Sequence, residues 1–522
     1  MGGLMNSGSL RSFRWEKGTA RGPSRGPGGP PYVVAVILTL VAASSLMWFS
    51  STGQILAYGD AEAHLNIARK LWDNREPAYR EIGTVWLPVP HLLTLPFTWS
   101  NSLYRSGLAG AIPSAICWII AGLLLYSAVR KLAGAWEPAA CAVAIFALNP
   151  NLLYLAATPM TEPVFYMEVV GLLYTLASYR ETGRTSALMA AILWTWAAAL
   201  TRYEAWLLIP VAGLFFLTRR LQHGIIYAAS AGLAPLYVFG HNWWIYGDAL
   251  EFYRGEWSAR AIYDRTHSGG FARFPGEGNW AMSWLYYRTA AALALGVPAL
   301  WIGAAGLLAA LWKRWYWFAL LLVAGPAFTL WGMRSGGGVE IFVPTLWPHS
   351  YYNTRYALAL LLPVALGGAA LVALAPRLRG TVALVVASVV VIPWFAFPRQ
   401  DNWIVWKEGQ MNSFERRAWT HQMASILRPA YVPGDRILYS FGDLTGVLRE
   451  AGIPLSAGLQ SGNELEWLRT LARPDLFLDQ EWVLDFEDGP AIRAARKRRY
   501  KLAGKIPRER GSAAVVLLHR ED

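Results

Sequence analysis

About eleven apolar stretches of roughly 16–26 residues lie between Tyr32 and Phe397, and they restrict the chain to membrane architectures. Inside a bilayer every backbone polar group must be satisfied within the protein, so runs of this length are read as helices that cross it. They are placed at 32–51, 106–129, 138–157, 162–179, 185–200, 203–218, 224–246, 287–312, 315–333, 354–376 and 380–397. The fold expected is a polytopic α-helical membrane protein of about eleven spans, followed by a small carboxyl-terminal α/β domain.

Composition agrees. The 522 residues are 55% hydrophobic and 16% charged, which excludes a disordered chain, a coiled coil and an ordinary soluble enzyme. Lys and Arg number 47 against 34 Asp and Glu, and there are 27 Trp, as expected where basic loops and interfacial indoles border a membrane. The two cysteines, Cys117 and Cys141, lie in apolar runs and read as small buried hydrophobes.

Placing the amino terminus in the cytoplasm puts Arg130-Lys131, Arg180/Arg184, Arg219-Arg220, Lys313-Arg314 and Arg377/Arg379 in cytoplasmic turns, as the positive-inside rule requires. Three domains follow. Residues 1–31 form a disordered basic cytoplasmic tail, 32–397 a transmembrane domain, and 398–522 an extracytoplasmic α/β domain with 19 Lys/Arg and 17 Asp/Glu. In that last region 436–440, 474–478 and 513–518 read as strands, and 444–451 as a helix ended by Gly452. Arg496–Arg499 reads as a solvated helix face. The location expected is a plasma (inner) membrane.

The outer loop 52–105 carries Gly59-Asp-Ala-Glu-Ala-His64 at the start of an amphipathic helix whose apolar stripe, Leu65, Ala68 and Leu71-Trp72, suits a membrane surface. Asp60 is either the cap of that helix or a general base near a low-dielectric boundary. Asp60, Glu62 and His64 are also weighed as metal ligands, but their spacing does not put all three on one helical face. Glu162, Arg202, Glu204 and Arg355 stand at outer ends of later spans, where ionisable groups are costly and tend to be functional. Two arginines there match the geometry of a phosphate, or form structural ion pairs. His91, His241, His267 and His349 read as isolated, and Ser335-Gly-Gly-Gly338 as a flexible loop, since no P-loop lysine follows it.

The order Gly59-Asp60-Ala61-Glu62-Ala63-His64, Thr161-Glu162-Pro163, Thr201-Arg202-Tyr203-Glu204 and Thr354-Arg355-Tyr356 resembles the GT-C superfamily of integral-membrane glycosyltransferases, over about residues 60–420. Within it the chain is similar to the group of protein O-mannosyltransferases and lipid A aminoarabinose transferases. The resemblance implies a polyprenyl-phosphate sugar donor, a lipid, glycan or protein acceptor with a hydroxyl, and inverting displacement. It implies Asp60 as catalytic base with Glu62 beside it, Arg202 and Arg355 as holders of the donor phosphate, and Glu162, Glu204, His64 and Tyr356 lining the cavity. No cofactor is expected, a divalent metal is the variant in a related branch, and the partners are membrane lipids and not nucleic acid. The alternatives are a transporter or flippase of lipid-linked sugars, and a membrane-anchored binding protein. Against a transporter, no internal repeat is found and the ionisable residues gather at one face.

Overall fold

The structure is a computed structural model that describes residues 31–268, 272–396, 402–509 and 512–521. The expected tail 1–31 lies outside the described residues apart from Pro31.

Helices occupy each of the expected spans, but not all as straight crossings. Five are long and apolar enough to cross a membrane: Pro31–Ser51, Leu108–Ala133, Tyr316–Ser335, Thr354–Leu374 and Arg379–Ala396. Two more positions are bent pairs, so five to seven of the described elements meet that length and apolarity on their own, and the other expected spans are shorter or less apolar helices. The stretch expected at 287–312 is two helices, Trp280–Leu295 and Val297–Trp312, set at 107°. Gly296 between them has φ +87°, a conformation that glycine adopts without steric cost. The stretch at 138–157 divides into Trp136–Ala147 and Pro150–Ala156 at 71°. There Asn149 caps the second helix through the amides of Asn151 and Leu152, and Pro150 has no amide to continue the first. Thr185–Ala199 and Tyr203–Leu217 are apolar but short; 15 residues reach only about 22 Å of a hydrocarbon core of about 30 Å. Glu162–Thr182 and Leu221–Tyr246 are long enough but less apolar.

Small residues let these helices approach closely. A Cβ on Gly306 would fall 2.3 Å from the backbone carbonyl carbon of Gly367, so Val297–Trp312 and Leu361–Leu374 pack backbone to backbone. Without a hydrophobic drive between helices in lipid, such contact supplies the attraction. Pro31–Ser51 instead buries only Leu38, Ala42 and Phe49 and leaves the rest of its apolar surface outward.

A 27-residue helix, Ile404–Ala430, joins the two parts of the molecule and is called here the bridging helix. Ile404, Val405 and Trp406 belong to the membrane-side core, whereas Trp419, Met423, Ala424 and Leu427 belong to the core of the terminal domain. That domain is a five-stranded mixed sheet of β1 (Ile437–Tyr439), β2 (Gly458–Gln460), β3 (Trp482–Phe486), β4 (Tyr500–Ile506) and β5 (Val515–Arg520) in the order β2-β1-β3-β5-β4. β1 is parallel to β2 and β3, and β5 antiparallel to β3 and β4. Alternation sorts the strands: Ile437, Tyr439, Trp482 and Leu484 face the bridging helix, while Leu438, Val483 and Leu459 face Trp467 and Ile492 on the other side.

The strands at 436–440 and 513–518 and the helix ended by Gly452 are present, the last with Gly452 at φ +83°. The strand expected at 474–478 is a short helix, Pro474–Phe477, with proline at its first position, where its missing amide costs nothing. Arg496–Arg499 follows the helix Pro490–Ala495 as an exposed turn and not as a helical face.

Candidate functional site

The helix Gly59–Lys70, the loop helix, positions the first acidic residue. Its N-cap is Tyr58, in extended backbone, so Asp60 sits in the first turn and is not the cap. Acidic groups in a first turn face the positive end of the helix dipole. The helix does not lie on a surface as its apolar stripe suggested. Ala61, Glu62, His64, Leu65, Asn66, Ile67, Ala68, Arg69 and Lys70 are all buried. The reason is the terminal domain, which covers the polar side: Asp73 accepts from the amides of Leu455 and Ser456, and Glu62 is held by two of that region's arginines.

Asp60, Glu162, Arg202, Glu204 and Arg355 meet in one network although up to 295 residues separate them. Arg355 Nη2 pairs with Asp60, and Arg355 Nε donates to Glu162 at 3.2 Å. The same Glu162 oxygen accepts from Arg202 Nη1 at 3.0 Å, and Arg202 Nε reaches Glu204 at 2.5 Å. Arg202 also donates to Thr161 Oγ1 at 2.8 Å. Tyr356 stacks beneath both guanidiniums, with centroids 4.9 Å from Arg355 and 5.4 Å from Arg202. Exposure separates the members: the Asp60 side chain is 38% exposed, against 7% for Arg355 and 3% for Glu162. Asp60 is therefore the carboxylate that an incoming molecule reaches most readily.

Glu62 turns to different partners. Its oxygens accept from Arg416 Nη1 at 2.7 Å and Arg449 Nη2 at 2.9 Å. Residues two apart on a helix lie about 200° apart around its axis, so Asp60 and Glu62 serve opposite sides of the loop helix.

His64 and His91, expected to be unrelated, form a buried pair with Nδ1 of His64 3.0 Å from Nε2 of His91. Nδ1 of His91 is 3.0 Å from the Leu87 carbonyl, which only accepts, so His91 carries its proton on Nδ1. His91 Nε2 then accepts, His64 donates from Nδ1, and His64 Nε2 keeps a free lone pair. Burial, with Arg355 and Arg202 adding to it, pushes His64 down to about 3, so it is neutral near pH 7. His241 and His349 contact Asn242 and the Pro344 carbonyl, respectively. The side chain of His267 lies outside the described residues. Asp60, Glu62 and His64 thus take three separate sets of partners, and among the described residues no three His, Cys, Asp or Glu side chains are grouped to hold a metal.

Two carboxylates of this region were not anticipated. Glu408, on the bridging helix, accepts from the amides of Asn353 and Thr354 at 2.8 Å each and from Thr354 Oγ1 at 2.6 Å. It stands 3.9 Å from Arg355 Nη1. Burial raises its carboxyl above the ordinary value against the opposing pull of Arg355 and the Thr354 donors. Glu168 is wholly buried and accepts from Thr201 Oγ1 at 2.8 Å, one residue before Arg202. An acid inside the apolar run 162–179 was a usable signal for Glu168. Glu408 has no comparable local signal.

The architecture combines a helical membrane part, a loop bearing an acidic helix, and a compact mixed domain after the last apolar helix. A family model described as dolichyl-phosphate-mannose-protein mannosyltransferase matches residues 100–244. Two crystal structures of ArnT from Cupriavidus metallidurans share the fold. The apo form aligns with TM-score 0.56 and 14% identity, and the form bound to undecaprenyl phosphate with TM-score 0.50 and 15% identity. Each alignment covers 93% of this chain and 97% of the other. No match was found among curated protein sequences.

Proposed function

We propose that the protein is a glycosyltransferase that moves a sugar from a polyprenyl-phosphate donor to a hydroxyl acceptor at the outer face of the membrane. The fold, the family-model match and the undecaprenyl phosphate bound by one ArnT structure support the class and the donor. The observation that carries the site is Asp60, the most exposed carboxylate of a network that contains two arginines and the buried Glu162.

In this reading the acceptor hydroxyl gives its proton to the Asp60 carboxylate. Its oxygen attacks the anomeric carbon from the face opposite the phosphate. A new glycosidic C–O bond forms as the bond to phosphate breaks, and the electron pair leaves on the polyprenyl phosphate. Inversion at the anomeric carbon follows.

The charge balance assigns Arg355 a further part. Among the described residues, Asp60, Glu162, Glu204 and Glu408 stand against Arg202 and Arg355. A donor phosphate therefore has to replace a carboxylate on an arginine, and Asp60 is the most exposed one on Arg355. That exchange stabilises the leaving group with a guanidinium sheltered from water and frees Asp60 to take the proton. The test is a panel of labelled polyprenyl-phosphate sugars offered to the purified protein in nanodiscs. One donor turned over by the native protein and not by Asp60→Asn supports the reading. Turnover retained by Asp60→Asn, or donor use unaffected by Arg355→Ala, removes the corresponding role.

A further inference from the structure

A polar cavity of about 280 Å³ lies where Glu62 points. It is bounded by the outer end of the first helix at Ser50 and Gly53, the loop residues Ile55 and Leu56, the bridging helix and the helix Thr445–Ala451. Four arginines line it, Arg105, Arg416, Arg417 and Arg449, against two carboxylates, Glu62 and Glu450. Asp443, 3.8 Å from Arg416, is the remaining acid beside them. The charge surplus is thus positive here and negative around Asp60.

The arginines divide into two kinds. Arg416 and Arg449, 9% and 7% exposed, spend their terminal nitrogens on Glu62 and on the carbonyls of Leu56, Ala57 and Arg105. Arg105 and Arg417 meet only carbonyls, of Gly452 at 3.0 Å and Gly53 at 3.3 Å, and neither has an ion-pair partner among the described residues. In addition, Nε of Arg449 and Nε of Arg417 are buried without a hydrogen-bond partner among the described residues. Buried, unmatched guanidinium donors are costly unless an acceptor completes them. A phosphate offers several acceptor oxygens and the negative charge that this set lacks.

We propose that this cavity binds a phosphate-bearing ligand, carried on a lipid headgroup or free as an anion, at a site separate from the Asp60–Arg355 network. The apolar Ile55 and Leu56 and the end of the first apolar helix place the arginines where the headgroup of an amphiphile would lie. The inference rests on the cavity and its donors and not on the transfer reaction.

The test uses the full-length protein, delipidated in detergent, and the double variant Arg105→Gln/Arg417→Gln, which leaves both Glu62 ion pairs in place. Arg417→Gln alone serves if the double variant unfolds, and Arg498→Gln, in the exposed turn, is the control. Retention of phosphatidic acid against phosphatidylcholine is read by native mass spectrometry, and inorganic phosphate is titrated by calorimetry. The native protein and the control are expected to hold a phosphate probe about tenfold or more tighter than the variant does. Saturable inorganic phosphate binding lost in the variant identifies the free anion as sufficient. A loss confined to phosphatidic acid identifies a lipid headgroup. A variant that binds both probes as the native protein does, or a native protein that binds neither, overturns the proposal.

Discussion

Glu408 fastens the turn that carries Arg355: its carboxylate takes the amides of Asn353 and Thr354 and the Thr354 hydroxyl, at 2.6–2.8 Å, while standing 3.9 Å from the Arg355 guanidinium. Asn353 has φ +54°, so the turn is one that needs holding. Because Glu408 belongs to the bridging helix, the geometry of the candidate site depends on where that helix docks.

Glu408→Gln keeps the shape but replaces one acceptor oxygen with an amide donor. Hydrogen bonds to a charged group contribute about 1.5–3 kcal/mol each. If the turn shifts, kcat is expected to fall about 10- to 100-fold, with the donor KM changing less. Steady-state kinetics in nanodiscs separate the two parameters, and an unchanged kcat would remove Glu408 from the positioning role.

Asp60→Asn is expected to reduce transfer by about 10²–10⁴-fold with little change in thermal unfolding. Arg355 keeps Glu162 and Glu408 in the variant, and Asp60 is the exposed end of the network. Unfolding followed by tryptophan fluorescence, set beside the transfer rate, checks both halves.

Glu62→Gln should behave in the opposite way. It leaves the buried Arg416 and Arg449 with only the longer contacts to Asp443 and Glu450, at 3.8 Å each. Breaking a buried ion pair from one side costs about 3–5 kcal/mol, so a clear drop in unfolding temperature is expected, with the rate per folded molecule largely kept. A rate loss as deep as that of Asp60→Asn, without loss of stability, would instead return Glu62 to the catalytic chemistry.

The buried histidines set a pH dependence. His64 is pushed down to about 3, so between that value and about 6.5 the unfolded chain binds a proton that the folded protein does not. Stability therefore rises with pH across this window and falls on acidification, by up to about 1.4 kcal/mol per pH unit for one group. His91 is shifted the same way, by burial and then by His64. Unfolding midpoints measured from about pH 4 to about pH 7 are expected to slope less in His64→Asn than in the native protein. Equal slopes would mean that the pair is not buried neutral.

Much of this protein was legible one segment at a time. Apolar length marked where helices lie, because a bilayer leaves the backbone few alternatives. Asp60, Glu162, Arg202 and Arg355 stood out because charge at the edge of an apolar run is costly enough to need a reason. The strands at 436–440 and 513–518 were visible from their apolar runs, whereas Pro474 misled, since proline can begin a helix as well as border a strand.

What the sequence determined by itself was therefore local: helical membrane segments, a polar terminal domain, and a short set of ionisable residues at span ends. Only the tertiary structure decided their partners. Asp60 and Glu62 are two residues apart and equally acidic in the sequence, yet one faces Arg355 and the other Arg416 and Arg449. The bends at Gly296 and Pro150, the His64–His91 pair and the reach of Glu408 to Thr354 were settled in the same way. Helical period and the docking of the bridging helix choose those contacts, and both act between segments that lie far apart along the chain.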